Sequence, residues 1–202
     1  VELYVEQGGA QRVSGNIYKG RVNNVLPGMQ AAFVDIGLER NAFLYVADAI
    51  TQSTEKARRK KDSPSIKEVL RPGQEIVVQV IKEPGDTKGA RVTTHLTLPS
   101  RNLVLMPDSD HVGVSRRIED EKERERLRQT AKNLKPQGMG LIVRTAAWGI
   151  DEEEFSQDLN FLLRLWKTTK RRSRKRTVPA ILYRDLELVY RIIRDLFTPD
   201  VD

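Results

Sequence analysis

The 202-residue chain contains no cysteine and only two histidines, His95 and His111. The missing cysteines exclude a disulfide framework, a thiolate nucleophile and a cysteine-based zinc site, and two histidines are too few for a histidine-rich metal centre. No apolar run approaches the roughly 20 residues that span a bilayer, and no signal peptide opens the chain, so a cytoplasmic location is expected. The chain begins on Val1 without a methionine, in a strand-like VELYVE, which suggests a piece of something longer. No nucleophile elbow, P-loop or metal-ligand cluster is present. Asp35 and Asp48 are single carboxylates, and two convergent carboxylates for a metal-dependent nuclease cannot be named.

What is abundant is positive charge: 35 Lys+Arg against 28 Asp+Glu, or +7, with a pI near 9.7. Residues 1–98 carry 14 basic and 11 acidic residues and residues 99–202 carry 21 and 17, so the excess is +3 and +4. Such a balance fits a polyanionic partner such as nucleic acid, though many basic proteins bind nothing in particular.

The first half reads as short strands with turn punctuation. Asn16–Val25 alternates apolar and polar, Pro27-Gly28 makes a turn, and Gln30–Ile36, Asn41–Val46, Ile76–Lys82 and Ala90–Leu98 follow as further strands. Five short strands with glycine-rich corners predict a small closed barrel. Between the third and fourth lies a polar, basic stretch, Thr51–Lys67, read as a long loop. The second half changes character. A short strand at Asn102–Met106 precedes a charged helix over Ser115–Leu134, with Ser115 as its N-cap. A strand over Gly140–Thr145 comes next, then a helix over about Asp151–Lys170 whose apolar face holds Phe155, Leu159, Leu162, Leu163 and Trp166. Lys167–Arg176 carries seven basic residues in ten. A strand at Ala180–Tyr183 and a helix from Asp185 to Leu196 close the chain.

Phe33 and Phe43 fall on consecutive strands. Same-face neighbours there lie about 5 Å apart, so two such rings make either a platform for stacked bases, worth about 1–3 kcal/mol per base, or part of the core. Lys19, Arg21, Arg40 and Lys88 lie on nearby strands or turns and either track phosphates or are solvated charge. Arg144 and Thr145 end a strand before an irregular Ala-Ala-Trp-Gly turn. A guanidinium beside a hydroxyl and free N–H groups suits a phosphate, and a structural ion pair is the alternative. Arg116 and Arg117 pose the same choice. The basic run Lys167–Arg176 is a nucleic-acid patch, a solvated helix end or a loop; its lack of interleaved aromatics favours the latter two.

Taken together, NIYKGRV, LPGMQAAFVDIG, AFL, VLRPGQEIVVQV, KGARVTT, NLVLMP, GVSRRIE and GMGLIVRTA, in this order and spacing, resemble the N-terminal half of the ribonuclease E/G family. The resemblance implies an endoribonuclease that cuts single-stranded RNA in RNA processing and decay, with preference for a 5′-monophosphate end. It implies an α+β architecture: an inserted five-stranded OB-fold barrel of the ribosomal S-one type over 12–95, then an α/β 5′-sensor domain over 96–188. Remnants of an RNase H-like domain would lie at 1–11 and 189–202. It assigns RNA contact to Phe33, Phe43 and Lys88, with Lys19 and Arg40 as further candidates, and 5′-phosphate contact to Arg144 and Thr145, with the backbone at Val104 enclosing the terminal nucleotide. Two positions depart from the family pattern: Ser100 where glycine is frequent, and Trp148 where a polar residue is usual. By the same resemblance the Mg²⁺-binding catalytic carboxylates lie in a DNase I-like domain further along, and a zinc-binding cysteine motif that joins protomers lies beyond it. This stretch is therefore expected to hold no cofactor, and to bind RNA without cutting it, with homo-oligomers expected of the full-length protein. A free-standing, non-catalytic RNA-binding module is the alternative.

Overall fold

A computed structural model describes residues 12–50 and 64–196. The expected strand at 1–11, most of the basic stretch at 51–67 and the end of the chain past 196 lie outside the described residues.

Alternation in the first half produces a closed barrel. Strands β1 (Ile17–Leu26), β2 (Ala31–Asp35), β3 (Ala42–Tyr45), β4 (Glu75–Lys82) and β5 (Arg91–Thr93) are hydrogen-bonded in the order β1-β2-β3-β5-β4, and β4 returns to β1. All pairings are antiparallel except β3 with β5. Inward residues, among them Tyr18, Val22, Ala32, Val34, Ala42, Leu44, Val78, Val80 and Val92, form one buried cluster. Short helices α1 (Val46–Ala49) and α2 (Ile66–Val69) cover one end through Val46, Ala49 and Ile66. Closure pairs the five strands with one another and leaves their outward side chains on the barrel surface.

The second half forms a four-stranded sheet in the order β6-β7-β9-β8, from β6 (Leu98–Pro99), β7 (Leu103–Met106), β8 (Val112–Val114) and β9 (Gly140–Val143). Two helices pack against it, α3 (Glu121–Leu134) and α4 (Glu152–Lys175). Their apolar stripes, Leu127 and Ala131 on one and Phe155, Leu159 and Leu162 on the other, are buried with Leu103, Leu105, Leu141 and Val143. Burying a side chain such as Phe155 contributes about 1.5–3 kcal/mol. β10 (Ala180–Tyr183) crosses back to pair with the start of β1, opposite β4, which puts Ile17 and Leu182 in this second cluster. A last helix, α5 (Leu188–Leu196), follows.

Several boundaries differ from the sequence reading. The charged helix begins at Glu121, capped by Asp120, whose Oδ1 accepts from Glu123 N at 2.9 Å. Ser115 is not a cap: its N–H bonds Val143 O, continuing the parallel β8–β9 ladder, so its backbone is already committed to the sheet. The fifth barrel strand stops at Thr93, and Leu98 pairs instead with Leu105 in the second sheet. α4 runs on to Lys175, so most of the basic run is helix; nothing before Pro179 breaks it.

Candidate nucleic-acid interface

Alternation in β2 and β3 settles where the two phenylalanines point. Ala32, Val34, Ala42 and Leu44 are fully buried, so Phe33 and Phe43 face outward, half-buried. They are direct cross-strand partners, with ring centroids 6.1 Å apart at 69°. Asn24 faces Phe33 from β1, Arg91 faces Phe43 from β5, and Lys82 faces Arg91 from β4. Asn24, Phe33, Phe43, Arg91 and Lys82 thus make one row across all five strands, about 19 Å long at the usual strand spacing. Amide, two rings and two cations in line offer stacking faces flanked by charge, the combination that single-stranded nucleic acid uses.

Arg91 was missed by sequence reasoning. Buried neighbours Ala90 and Val92 show that it points outward, but its place beside Phe43 depends on a parallel pairing between strands far apart in sequence. Asp48 holds it, accepting from Nη2 at 2.8 Å. Lys88 is exposed on the β4–β5 loop, two residues before Ala90, whose carbonyl accepts from Phe43 N. Gly89 is required beside it: a Cβ there would collide with the carbonyl of Asn41. Arg40 is exposed at the entry to β3. Lys19 is largely buried, pairs with Glu75 at 2.8 Å and donates to Arg176 O at 3.0 Å. That bond from Lys19 holds the Glu75 carboxyl below the usual carboxylate range.

A second constellation forms at the C-terminal ends of the parallel strands β8 and β9, the edge at which parallel sheets take ligands. Arg144 and Thr145 leave β9 there, and Ser115, Arg116 and Arg117 leave β8. The Ser115 and Thr145 hydroxyls meet at 2.9 Å, and Arg116 and Arg117 are exposed. Val104 pairs with Ile142, two residues before Arg144 on the same face. The Arg144 guanidinium donates to Ser100 O and to Asp195 Oδ1, both at 2.6 Å.

The surroundings of this site are rigidly tied. Asp158 of α4 accepts from Ser100 Oγ at 2.7 Å and from Asn102 N at 3.0 Å, so the buried Ser100 side chain is tied to α4. Glu123 of α3 accepts from Gly149 N at 2.9 Å, and Arg126 donates to Ile150 O, anchoring the turn that follows Thr145. The Arg126 guanidinium holds the Glu123 carboxyl down at about 2, with the Gly149 N–H assisting. Burial works to raise the Asp195 carboxyl, but hydrogen bonds from Arg194 and Arg144 hold it down at about 2. Trp148 is about half exposed at the end of the turn. The contacts by which Asp158, Asp195 and Glu123 support the site carried no local signal in the sequence, since each reaches a residue at least 26 positions away.

Among the described residues no group of three or more His, Asp or Glu side chains could hold a metal ion. No helix among them is long and apolar enough to cross a membrane.

Comparison with known proteins follows the same lines. The sequence model of the ribonuclease E/G family matches residues 97–202. The chain is 48% identical over 204 residues to ribonuclease G of Haemophilus influenzae, covering 100% of this chain and 42% of that protein. It is 46% identical over 202 residues to ribonuclease E of a Nostoc species, covering 100% of this chain and 28% of that protein. Among solved structures, a putative exosome complex RNA-binding protein covers 80% of this chain and 85% of its own at 19% identity, with a TM-score of 0.29, too distant to bear on function. The chain thus spans less than half the length of the relatives it matches.

Proposed function

The chain belongs to the ribonuclease E/G family, and from that premise we propose that it is the RNA-gripping and 5′-end-sensing portion of a single-strand-specific endoribonuclease. Single-stranded RNA lies across the barrel row, its bases on Phe33 and Phe43 and its phosphates near Arg91, Lys82 and Lys88. Its 5′-monophosphate sits against Arg144 and Thr145, with Val104 walling the terminal nucleotide. Cytoplasmic RNA processing and decay is the setting this implies.

The observation that carries the reading is the outward pairing of Phe33 with Phe43 in line with Arg91. A core role would have turned those rings inward, where Ala32, Val34, Ala42 and Leu44 already fill the barrel. For the 5′ end, support comes from a guanidinium, two hydroxyls and two further exposed arginines gathered at one strand edge. Arg144 donates to Ser100 O and Asp195 through Nη1, which leaves Nη2 and Nε as the donors for a phosphate dianion. Those two nitrogens form a fork that binds phosphate oxygens bidentately.

The test compares fluorescence anisotropy of one RNA sequence bearing a 5′-monophosphate or a 5′-hydroxyl. A hydrogen bond to a charged group contributes about 1.5–3 kcal/mol, so the phosphorylated form should bind about tenfold or more tightly. Arg144→Ala should remove the difference while leaving 5′-hydroxyl binding intact. Equal affinity for both ends in the unmutated chain would sink the sensing claim and leave the barrel claim standing.

A further inference from the structure

The charged helix α3 and the basic half of α4 treat their arginines differently. On α3, Arg124, Arg126 and Arg128 each pair with a glutamate three residues earlier, at 2.8, 2.7 and 2.6 Å. Such pairs neutralise a helix surface. On α4 no acidic residue follows Asp158 until Asp185 lies beyond the helix. Over that stretch Arg164, Lys167, Arg171, Arg174 and Lys175 are all exposed, and among the described residues none of them pairs with a carboxylate.

Their spacing puts them together. Arg164, Lys167, Arg171 and Arg174 recur at intervals of three and four, so they form one stripe along the helix, opposite the face that buries Phe155, Leu159, Leu162 and Thr169. The stripe is about 15 Å long with a cation roughly every 5.4 Å. A helix C-terminus accounts for a cation in the last turn, but not for a stripe that starts three turns earlier.

Position gives the stripe a partner. The N-terminal half of α4 braces the Arg144 site through Asp158. At the other end the carbonyl of Arg176, the residue that caps the helix, accepts from Lys19 on β1. From Lys19 the outward positions of β1 lead through Arg21 to Asn24 at the end of the phenylalanine row. One helix therefore reaches from the 5′-phosphate candidate to the barrel, with its cations turned to solvent.

We propose that the Arg164–Lys167–Arg171–Arg174 stripe of α4 is a track for the sugar-phosphate backbone of the same RNA strand whose bases lie on the barrel. The inference rests on the barrel reading above and extends it. The contacts are sequence-independent, since they are point charges and guanidinium forks without interleaved aromatics. The track lengthens the footprint beyond what the barrel row alone can hold.

The experiment uses the purified chain and two poly-uridine RNAs, one of about 4 nucleotides and one of about 16, the range of site sizes for one OB fold. In the variant R164Q/K167Q/R171Q/R174Q the long RNA should bind at least tenfold more weakly at physiological salt, and the slope of log K against log salt should shrink by about 3, from roughly 0.7 per lost cation. The short RNA should bind as before. A variant keeping Lys167 with R164K, R171K and R174K should bind the long RNA nearly as the unmutated chain does, which separates charge from packing; thermal unfolding by circular dichroism checks that both variants are folded. Unchanged long-RNA affinity and slope overturn the track. So does equal weakening of both RNAs, which assigns the stripe to diffuse attraction. So does retained RNA binding with loss of binding to phosphatidylglycerol vesicles, which assigns it to a lipid surface. Phe43→Ala distinguishes the two readings: it should weaken both RNAs, and if it weakens neither while the stripe variant loses the long one, the barrel reading fails and the track stands alone.

Discussion

Phe33 and Phe43 face each other across β2 and β3, edge to face at 6.1 Å, on the outside of a barrel whose inside is filled without them. Edge-to-face pairs contribute about 0.5–1.5 kcal/mol beyond their burial, enough to hold both rings in one orientation before any ligand arrives. A base approaching the pair meets surfaces that lose little rotamer freedom on binding.

Phe43→Ala should therefore weaken binding of single-stranded RNA by about 1–3 kcal/mol and lower the melting temperature only slightly. Anisotropy titration and thermal unfolding measure the two. Unaltered binding with a loss of stability near the 3–5 kcal/mol typical of a core phenylalanine would show the ring to be structural.

Arg144 and Asp195 make a different kind of pair, one that sets a carboxylate beside the proposed phosphate ligand. Asp195 sets a negative charge beside the guanidinium that would meet the phosphate, and a solvent-accessible pair contributes about 0.2–1 kcal/mol, so Asp195→Asn should tighten binding of 5′-monophosphate RNA, by up to roughly fivefold. The 5′-hydroxyl RNA should be unaffected. A weaker phosphate interaction in that variant would mean that Asp195 orients Arg144 for the ligand instead of opposing it.

The same carboxylate sets a pH limit on α5. A carboxyl held below its unfolded value stabilises the folded state, because the unfolded chain takes up the proton first as pH falls. The contribution of Asp195 is complete above about pH 3.8 and is lost as pH falls to about 2. Hydrogen exchange of α5 amides should accelerate in that window, and Asp195→Asn should remove the dependence from α5. Glu123 titrates in the same range but acts on α3 and the Gly149 turn, so amides there serve as the internal comparison.

Gly89 tests how Lys88 is positioned. A methyl group at residue 89 meets the backbone of Asn41, which cannot give way without parting β5 from β3. Gly89→Ala should cost about 1–3 kcal/mol of stability, read as a lower midpoint in urea. Gly85→Ala, in the same loop with nothing within 4 Å of the added carbon, should leave the midpoint in place.

Local pattern carried much of this protein. Period-two alternation around Phe33 and Phe43, glycine and proline turns, and the apolar stripe of α4 are properties of neighbouring residues, so the barrel strands and the long helix were legible, as was the adjacency of Arg144 and Thr145. Charge was legible only as a sum. The sequence could not say that Lys19 is held by Glu75 or Arg91 by Asp48, because each of those ion pairs joins elements far apart in the chain. Nor could it place Arg91 beside Phe43, Asp158 under Ser100 or Asp195 on Arg144: those contacts join strands and helices 48 to 58 residues apart. The residue types, their order and the alternation along each strand came from the sequence, while the outward turn of Phe33 and Phe43 was left open there and settled by the burial of Ala32, Val34, Ala42 and Leu44. Which of the cations carry a carboxylate partner, as Arg91 does in Asp48 and Arg144 in Asp195, was decided by tertiary packing, since those partners come from distant parts of the chain.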